Sequence, residues 1–187
     1  MDAQTLSGGF TNPAIQSAHI FRHVMEAMAR PGTIHSVTGI TPPNPLSTAA
    51  GAVLLTLCDT DPPVHLAGDT DCAAVRSWLA FHTSAPLVDR ADAMFAIGSW
   101  DALNPLDPYQ IGSATYPDRS ATLIVECTDL TDSGTTLTGP GIKKTAALSL
   151  PETSAFQANA ALFPLGLDFI FTSGATLAAL PRSTQVS

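Results

Sequence analysis

The chain has 187 residues, 45% of them apolar and 13% charged, with a formal net charge of −8. That length and apolar content suit one domain with a sizeable core and exclude intrinsic disorder. The negative balance excludes a general electrostatic surface for nucleic acid, but not a small anion held by a few local arginines.

Residues 1–11 read as a loose arm. Asn12-Pro13 starts a helix, with asparagine as cap and proline at the first helical position. The helix is predicted to run to about Ala29, with Ala14, Ala18, Phe21, Met25 and Met28 as its buried stripe. Arg30-Pro31-Gly32 stops it, and 33–37 is a short strand candidate. Three prolines make 38–47 a loop or crossing arm. Ser47 caps a second helix over 48–57, apolar nearly all round and therefore buried in a core or an interface. A turn over 59–63 leads to a strand at 64–66. Asp69 or Thr70 caps a third helix to about Phe81, with Ala74, Val75, Trp78 and Leu79 inward.

Residues 93–97 read as a strand and 98–119 as a surface flap, because long loops are usually functional or interfacial. The run 121–127 is the strongest strand signal, and 135–138 is expected to pair with it. A last helix opens at Pro151 and ends near Leu162. The stretch 163–184 then carries two apolar runs, 168–172 and 176–180, around Ser173-Gly174, the pattern of a hairpin. Phe169-Ile170-Phe171 needs both faces covered, which places the hairpin in the middle of a sheet. Alternating helices and strands predict one three-layer α/β/α domain around a central mixed sheet.

The candidate chemistry is sparse. His19, His23 and Glu26 share one face of the first helix, as metal ligands can. Ile20, Phe21 and Arg22 fill the positions between the histidines, so the H-E-x-x-H signature is absent. The three read as a solvated polar face, and no metal is expected. Gly139-Pro140-Gly141-Ile142-Lys143-Lys144-Thr145 imitates a phosphate loop, but Ile142 stands where glycine must precede the lysine. It reads as a tight turn, with an anion site through its amides left open. Lys143 and Lys144, the only lysines, lie adjacent in a loop without the burial that activates a Schiff-base lysine. No cofactor is therefore expected.

Cys58, Cys72 and Cys127 form no C-x-x-C pair and read as reduced cytosolic thiols. The first residues lack a signal-peptide pattern, and no apolar run approaches the ~20 residues that span a bilayer. No G-x-S-x-G elbow exists, and His82 suits a helix C-terminus through the dipole alone. Arg22, Arg30 and Arg182 stand on or beside structural breaks and suit bidentate holding of phosphate or carboxylate. Asp59, Asp61 and Asp168 offer countercharges, and His82 adds polar chemistry. The competing reading is a set of separate surface ion pairs.

Several stretches together resemble one family. Phe21-Arg22 with 27–32 (AMARPG), 54–64 (LLTLCDTDPPV), 81–88 (FHTSAPLV), 137–142 (LTGPGI) and 163–184 are similar, in order, to the H subunit of the bacterial carbon–phosphorus lyase complex. The loop 38–47 and the flap 98–119 carry least of the pattern. The resemblance implies an α/β/α domain like a reduced pyridoxal phosphate-dependent transferase without the cofactor. It implies a homodimer that joins the G, I and J subunits. With the ATP-binding L subunit, the G, H and I subunits of that family are implicated in replacing the adenine of ATP by an alkylphosphonate. The product is a ribose 1-alkylphosphonate 5-triphosphate, and carbon–phosphorus cleavage falls to the J subunit. The family supplies no catalytic residue to carry over. The expectation is a cytoplasmic subunit that does not act alone. Arg22, Arg30, Asp59, His82, Asp168 and Arg182 are its candidate phosphonate or nucleotide contacts. The alternative is a dimerising structural adaptor.

Overall fold

The computed structural model describes residues 6–187. Its centre is a six-stranded sheet in the order β1-β8-β7-β4-β3-β2. The strands are β1 (His35–Ser36), β2 (Val64–Leu66), β3 (Phe95–Ser99), β4 (Thr122–Glu126), β7 (Asp168–Ser173) and β8 (Thr176–Leu180). β2, β3, β4 and β7 are parallel; β8 and β1 close one side antiparallel. The hairpin β7–β8 therefore lies inside the sheet, as its doubly apolar runs require.

Register sorts the core into two layers, because alternate strand residues face opposite sides. Ile97, Ile124, Ile170 and Ala179 align across four strands on one face. Helices α1 (Pro13–Ala29), α2 (Thr48–Leu57) and α3 (Ala73–His82) cover that face. Val125, Phe171 and Ala178 align on the other. There the cover is α4 (Trp100–Leu103), α5 (Ser154–Ala160) and a three-stranded antiparallel sheet, β6 (Ala146–Leu148), β5 (Thr135–Thr138) and β9 (Gln185–Val186). Phe156 of α5 meets Trp100, Phe169 and Phe171 at ring-centroid distances of 4.7, 4.9 and 5.7 Å.

The three layers are present, but one is half sheet. β5 does not pair with β4, because β3 and β7 already occupy both edges of β4. It takes β6 and β9 instead, two strands too short to show a period in the sequence. The flap 98–119 contains α4 and buries Leu103 and Tyr109. Arg90 fastens it by donating to the carbonyls of Ala102, Asn104 and Pro105.

The largest correction concerns α1. Its buried face is Ile20, Val24 and Ala27, with Met28 partly buried. Ala14, Ala18, Phe21 and Met25, expected inward, are exposed. Both stripes have helical spacing, and the sequence offers no local reason to choose between them. α2 makes the choice: Ala49–Leu54 are buried between α1 and the sheet, and the small residues of α2 admit the Ile20/Val24 side. Of the arm expected over 1–11, residues 1–5 lie outside the described residues. The Ser7 carbonyl accepts from Trp78 Nε1 at 3.1 Å, the Gly8 carbonyl accepts from the Thr41 N–H at 2.9 Å, and Phe10 packs on the first core layer.

Among the described residues, no helix is long and apolar enough to cross a membrane.

Candidate functional site

Among the described residues, polar side chains gather at several places, and three of them bear on the residues singled out from sequence. The first is the start of β7, where Asp168 and Arg182 meet. Asp168 Oδ1 accepts from the Arg182 backbone N–H at 2.9 Å and from Nε at 3.2 Å, and Oδ2 accepts from Nη2. Nη1 donates to the Pro117 carbonyl and Nη2 also to Ser120 Oγ. The side chains are only 14% and 16% exposed. Register brings them within reach: Phe169 lies opposite Leu180, so Asp168 falls beside Pro181 and Arg182 comes one residue further on. The guanidinium thus ties the flap, the start of β4 and the hairpin together.

The second place is the cleft at the carboxyl ends of β3 and β4, where open parallel sheets usually take their ligands. It encloses about 450 Å³ and is lined by Ser99, Trp100, Asp101, Glu126, Cys127 and Asp129, among others. Glu126 closes its floor: Oε1 accepts from the Ser47 N–H at the start of α2 at 2.7 Å, and Oε2 from the Thr172 hydroxyl at 3.0 Å. Burial pushes the Glu126 carboxyl up, and the bonds from Ser47 and Thr172 pull the other way without cancelling it. Burial, then the charge of Glu126, pushes the Cys127 thiol up to about 11, so it is a poor nucleophile. Among the described residues, three acids and no arginine or lysine line the cleft. A phosphonate or triphosphate there would meet charge of its own sign.

The third place is α1 and what folds against it. His23 and Glu26 lie one turn apart on the helix, and Arg30-Pro31-Gly32 brings His35 of β1 back beside them. Ligand atoms of the three all fall within 4.8 Å of one another. His35 Nδ1 is 3.9 Å from Glu26 Oε2, and the two imidazole centroids are 5.5 Å apart. Burial holds the His35 imidazole below its usual range, the neighbouring His23 adds to this, and Glu26 opposes it. His19, grouped with His23 in the sequence, is exposed and stands outside the cluster. The helical spacing of His23 and Glu26 was legible; His35, twelve residues on, was not, because only the turn brings it home.

The turn Gly139–Ile142 also comes back to α1. Gly141 has φ +81°, and a Cβ there would fall 1.9 Å from the Ala29 carbonyl oxygen. Only glycine allows that approach. It carries exposed Lys143 and Lys144 toward the helix end that bears exposed Arg30.

The six residues singled out from sequence do not form one cleft through their bonds. Asp168 and Arg182 join. Arg22 and Arg30 are exposed on α1, and Asp59 is exposed in the turn after α2, accepting the Asp61 N–H at 2.9 Å. His82 ends α3, its ring 5.1 Å from Trp78 and 4.9 Å from Phe81. Burial lowers its proton affinity, and a bond with the Leu6 backbone partly restores it. Among the described residues, no hydrogen bond or ion pair links these last four to one another or to the Asp168–Arg182 pair.

Among the described residues, fold and surface define an α/β domain whose helix α1 carries exposed Arg22 and Arg30, a histidine–glutamate cluster and an apolar stripe. Residues 8–187 match the family described as bacterial phosphonate metabolism protein (PhnH), and the chain belongs to that family. It is 39% identical over 196 residues to alpha-D-ribose 1-methylphosphonate 5-triphosphate synthase subunit PhnH of Rhizobium meliloti (strain 1021), covering 98% of this chain and 96% of that one. It is 27% identical over 178 residues to the putative C-P lyase subunit protein HtxG of Stutzerimonas stutzeri, covering 89% and 84%.

Proposed function

We propose that the chain is a subunit of the carbon–phosphorus lyase machinery of organophosphonate catabolism. It supports formation of a ribose 1-alkylphosphonate 5-triphosphate from ATP and a phosphonate. The observation that carries this reading is the end-to-end likeness to a relative named as a subunit of the methylphosphonate synthase. The proposal includes a homodimer, the G, I and J subunits as neighbours, a cytoplasmic setting, and a fold similar to a reduced pyridoxal phosphate-dependent transferase without the cofactor.

Two features support work inside an assembly. Phe21 and Met25 are 51% and 52% exposed on α1, a stripe that a partner would cover. The cleft at the strand ends is acidic, so an anionic substrate needs cations from elsewhere. Within the proposal, Arg22 and Arg30, both exposed on α1, contact the anion, with Asp59 and His82 as further polar contacts. Asp168 and Arg182 contribute by holding the flap. Alanine at Arg22 and at Arg30, assayed in the reconstituted synthase, tests the contact: turnover should fall at one or both.

The exposed α1 stripe favours a second reading, a dimerising adaptor that touches no substrate. Unchanged turnover in both arginine variants, with assembly lost on changing Phe21, would select it.

A further inference from the structure

We propose that His23, Glu26 and His35 form a binding site for a borderline divalent cation of the zinc type. This inference concerns the residues of this chain alone and does not rest on the phosphonate reading.

The donor set is two imidazoles and one carboxylate, which suits zinc, cobalt or iron and not the all-oxygen shells of magnesium and calcium. His23 and Glu26 come from one helical turn at i and i+3, where side chains are neighbours. His35 comes from the adjoining strand. The three ligand atoms already lie within 4.8 Å of one another. Ligands at about 2.0–2.1 Å around a tetrahedral ion stand roughly 3.4 Å apart. Small rotations close the difference, and the Glu26 side chain, 46% exposed, has room to make them.

Two further observations point to a ligand. Among the described residues, nothing hydrogen-bonds the buried His23 Nδ1. A buried polar nitrogen without a partner is costly, and a cation bound at that nitrogen would satisfy it. The bonds around Thr33 assign the tautomer of His35. The Thr33 hydroxyl donates to the Arg30 carbonyl at 2.8 Å, so its oxygen accepts from His35 Nε2–H at 3.1 Å. Nδ1 then carries the lone pair, and it faces Glu26 Oε2 at 3.9 Å, too far for a hydrogen bond. A lone pair facing a carboxylate is unfavourable unless a positive centre lies between them. A ring whose other N–H is held by a fixed acceptor is also how metal-bound histidines are oriented. Three protein ligands leave one position for water or for an oxyanion, the open arrangement of reactive rather than purely structural zinc sites.

The test uses the full chain stripped with a chelator and titrated with Zn²⁺ against a chromophoric competitor. Co²⁺ is added in parallel to report ligand type. Wild type should take up one equivalent, and its Co²⁺ complex should show ligand-field bands without thiolate charge transfer. His35→Ala and Glu26→Gln should weaken uptake by at least about 10-fold, and Thr33→Val, acting through His35, by about 10-fold. His19→Ala should change nothing. Glu26→Gln, at a half-exposed side chain, keeps the test valid if His35→Ala misfolds. Absence of stoichiometric uptake by wild type would overturn the site. So would uptake that survives Glu26→Gln unchanged, uptake lost in His19→Ala, or a thiolate signature in the Co²⁺ spectrum.

Discussion

Asp168 and Arg182 close the open end of the β7–β8 hairpin through three bonds, two from the guanidinium and one from the backbone N–H of Arg182. Arg182 then reaches past the pair to Pro117 and Ser120. The pair therefore fixes where the flap returns to the sheet. Removing one partner of a buried pair leaves the other charge uncompensated, at about 3–5 kcal/mol. Asp168→Ala should cost about 3 kcal/mol in urea unfolding. In a cycle with Arg182→Met, the double variant should lose less than the sum of the two singles. A strictly additive cycle would mean that the pair is incidental.

Glu126 gives the chain a pH signature. Its folded carboxyl titrates above the ordinary 4.5 because burial disfavours the charge. Well below 4.5 the group is neutral in both states, and its favourable contribution is fully present. As pH rises through the window between 4.5 and the folded value, the unfolded chain ionises first and stability falls. Glu126→Gln keeps an acceptor for the Ser47 N–H and should abolish that fall, leaving the variant at least as stable as wild type at neutral pH. Chemical unfolding across the acidic range reads this directly. An unchanged pH profile would contradict it.

The contact between the 139–142 turn and α1 makes a local claim. Gly141→Ala forces a Cβ onto the Ala29 carbonyl at φ +81°. The expected cost is about 2–3 kcal/mol from strain and displacement. Gly174→Ala, at φ +55° with open space around it, should cost about 1 kcal/mol. Equal losses at the two glycines would mean that the turn does not seat on the helix.

How far the sequence reached depends on the range of the forces involved. α2 and β8 match their predicted bounds, and β7 differs by one residue, because their apolar runs are local and unbroken. The inward face of α1 was misread because Ala14, Ala18, Phe21 and Met25 are as periodic as Ile20, Val24 and Ala27. Packing against α2 decides between them. β6 and β9 are three and two residues long and form only because β5 needs partners away from a filled sheet. Of the site, the hairpin pattern put Asp168 and Arg182 at strand boundaries, but their pairing depends on the β7–β8 register, which spacing alone does not encode. The cluster of His23 with His35 needed a turn whose direction no spacing encodes. Glu126 gave no local signal, since its partners Ser47 and Thr172 lie 79 and 46 residues away.

The apolar stripe of α1 predicts self-association. Phe21→Glu with Met25→Glu should leave the stability of the folded monomer within about 0.5 kcal/mol, because both sites are exposed in the single chain. Light scattering should give a dimer for wild type and a monomer for the double variant. A wild-type monomer at every concentration would remove the stripe from the dimer surface.

The most direct test of the account is an omission experiment. The synthase is reconstituted from its other subunits, ATP and methylphosphonate, with and without this chain, and the ribose 1-phosphonate 5-triphosphate formed is followed by phosphorus NMR. The account predicts product only when the chain is present and co-eluting with the assembly. Equal rates of product formation without it would contradict the account.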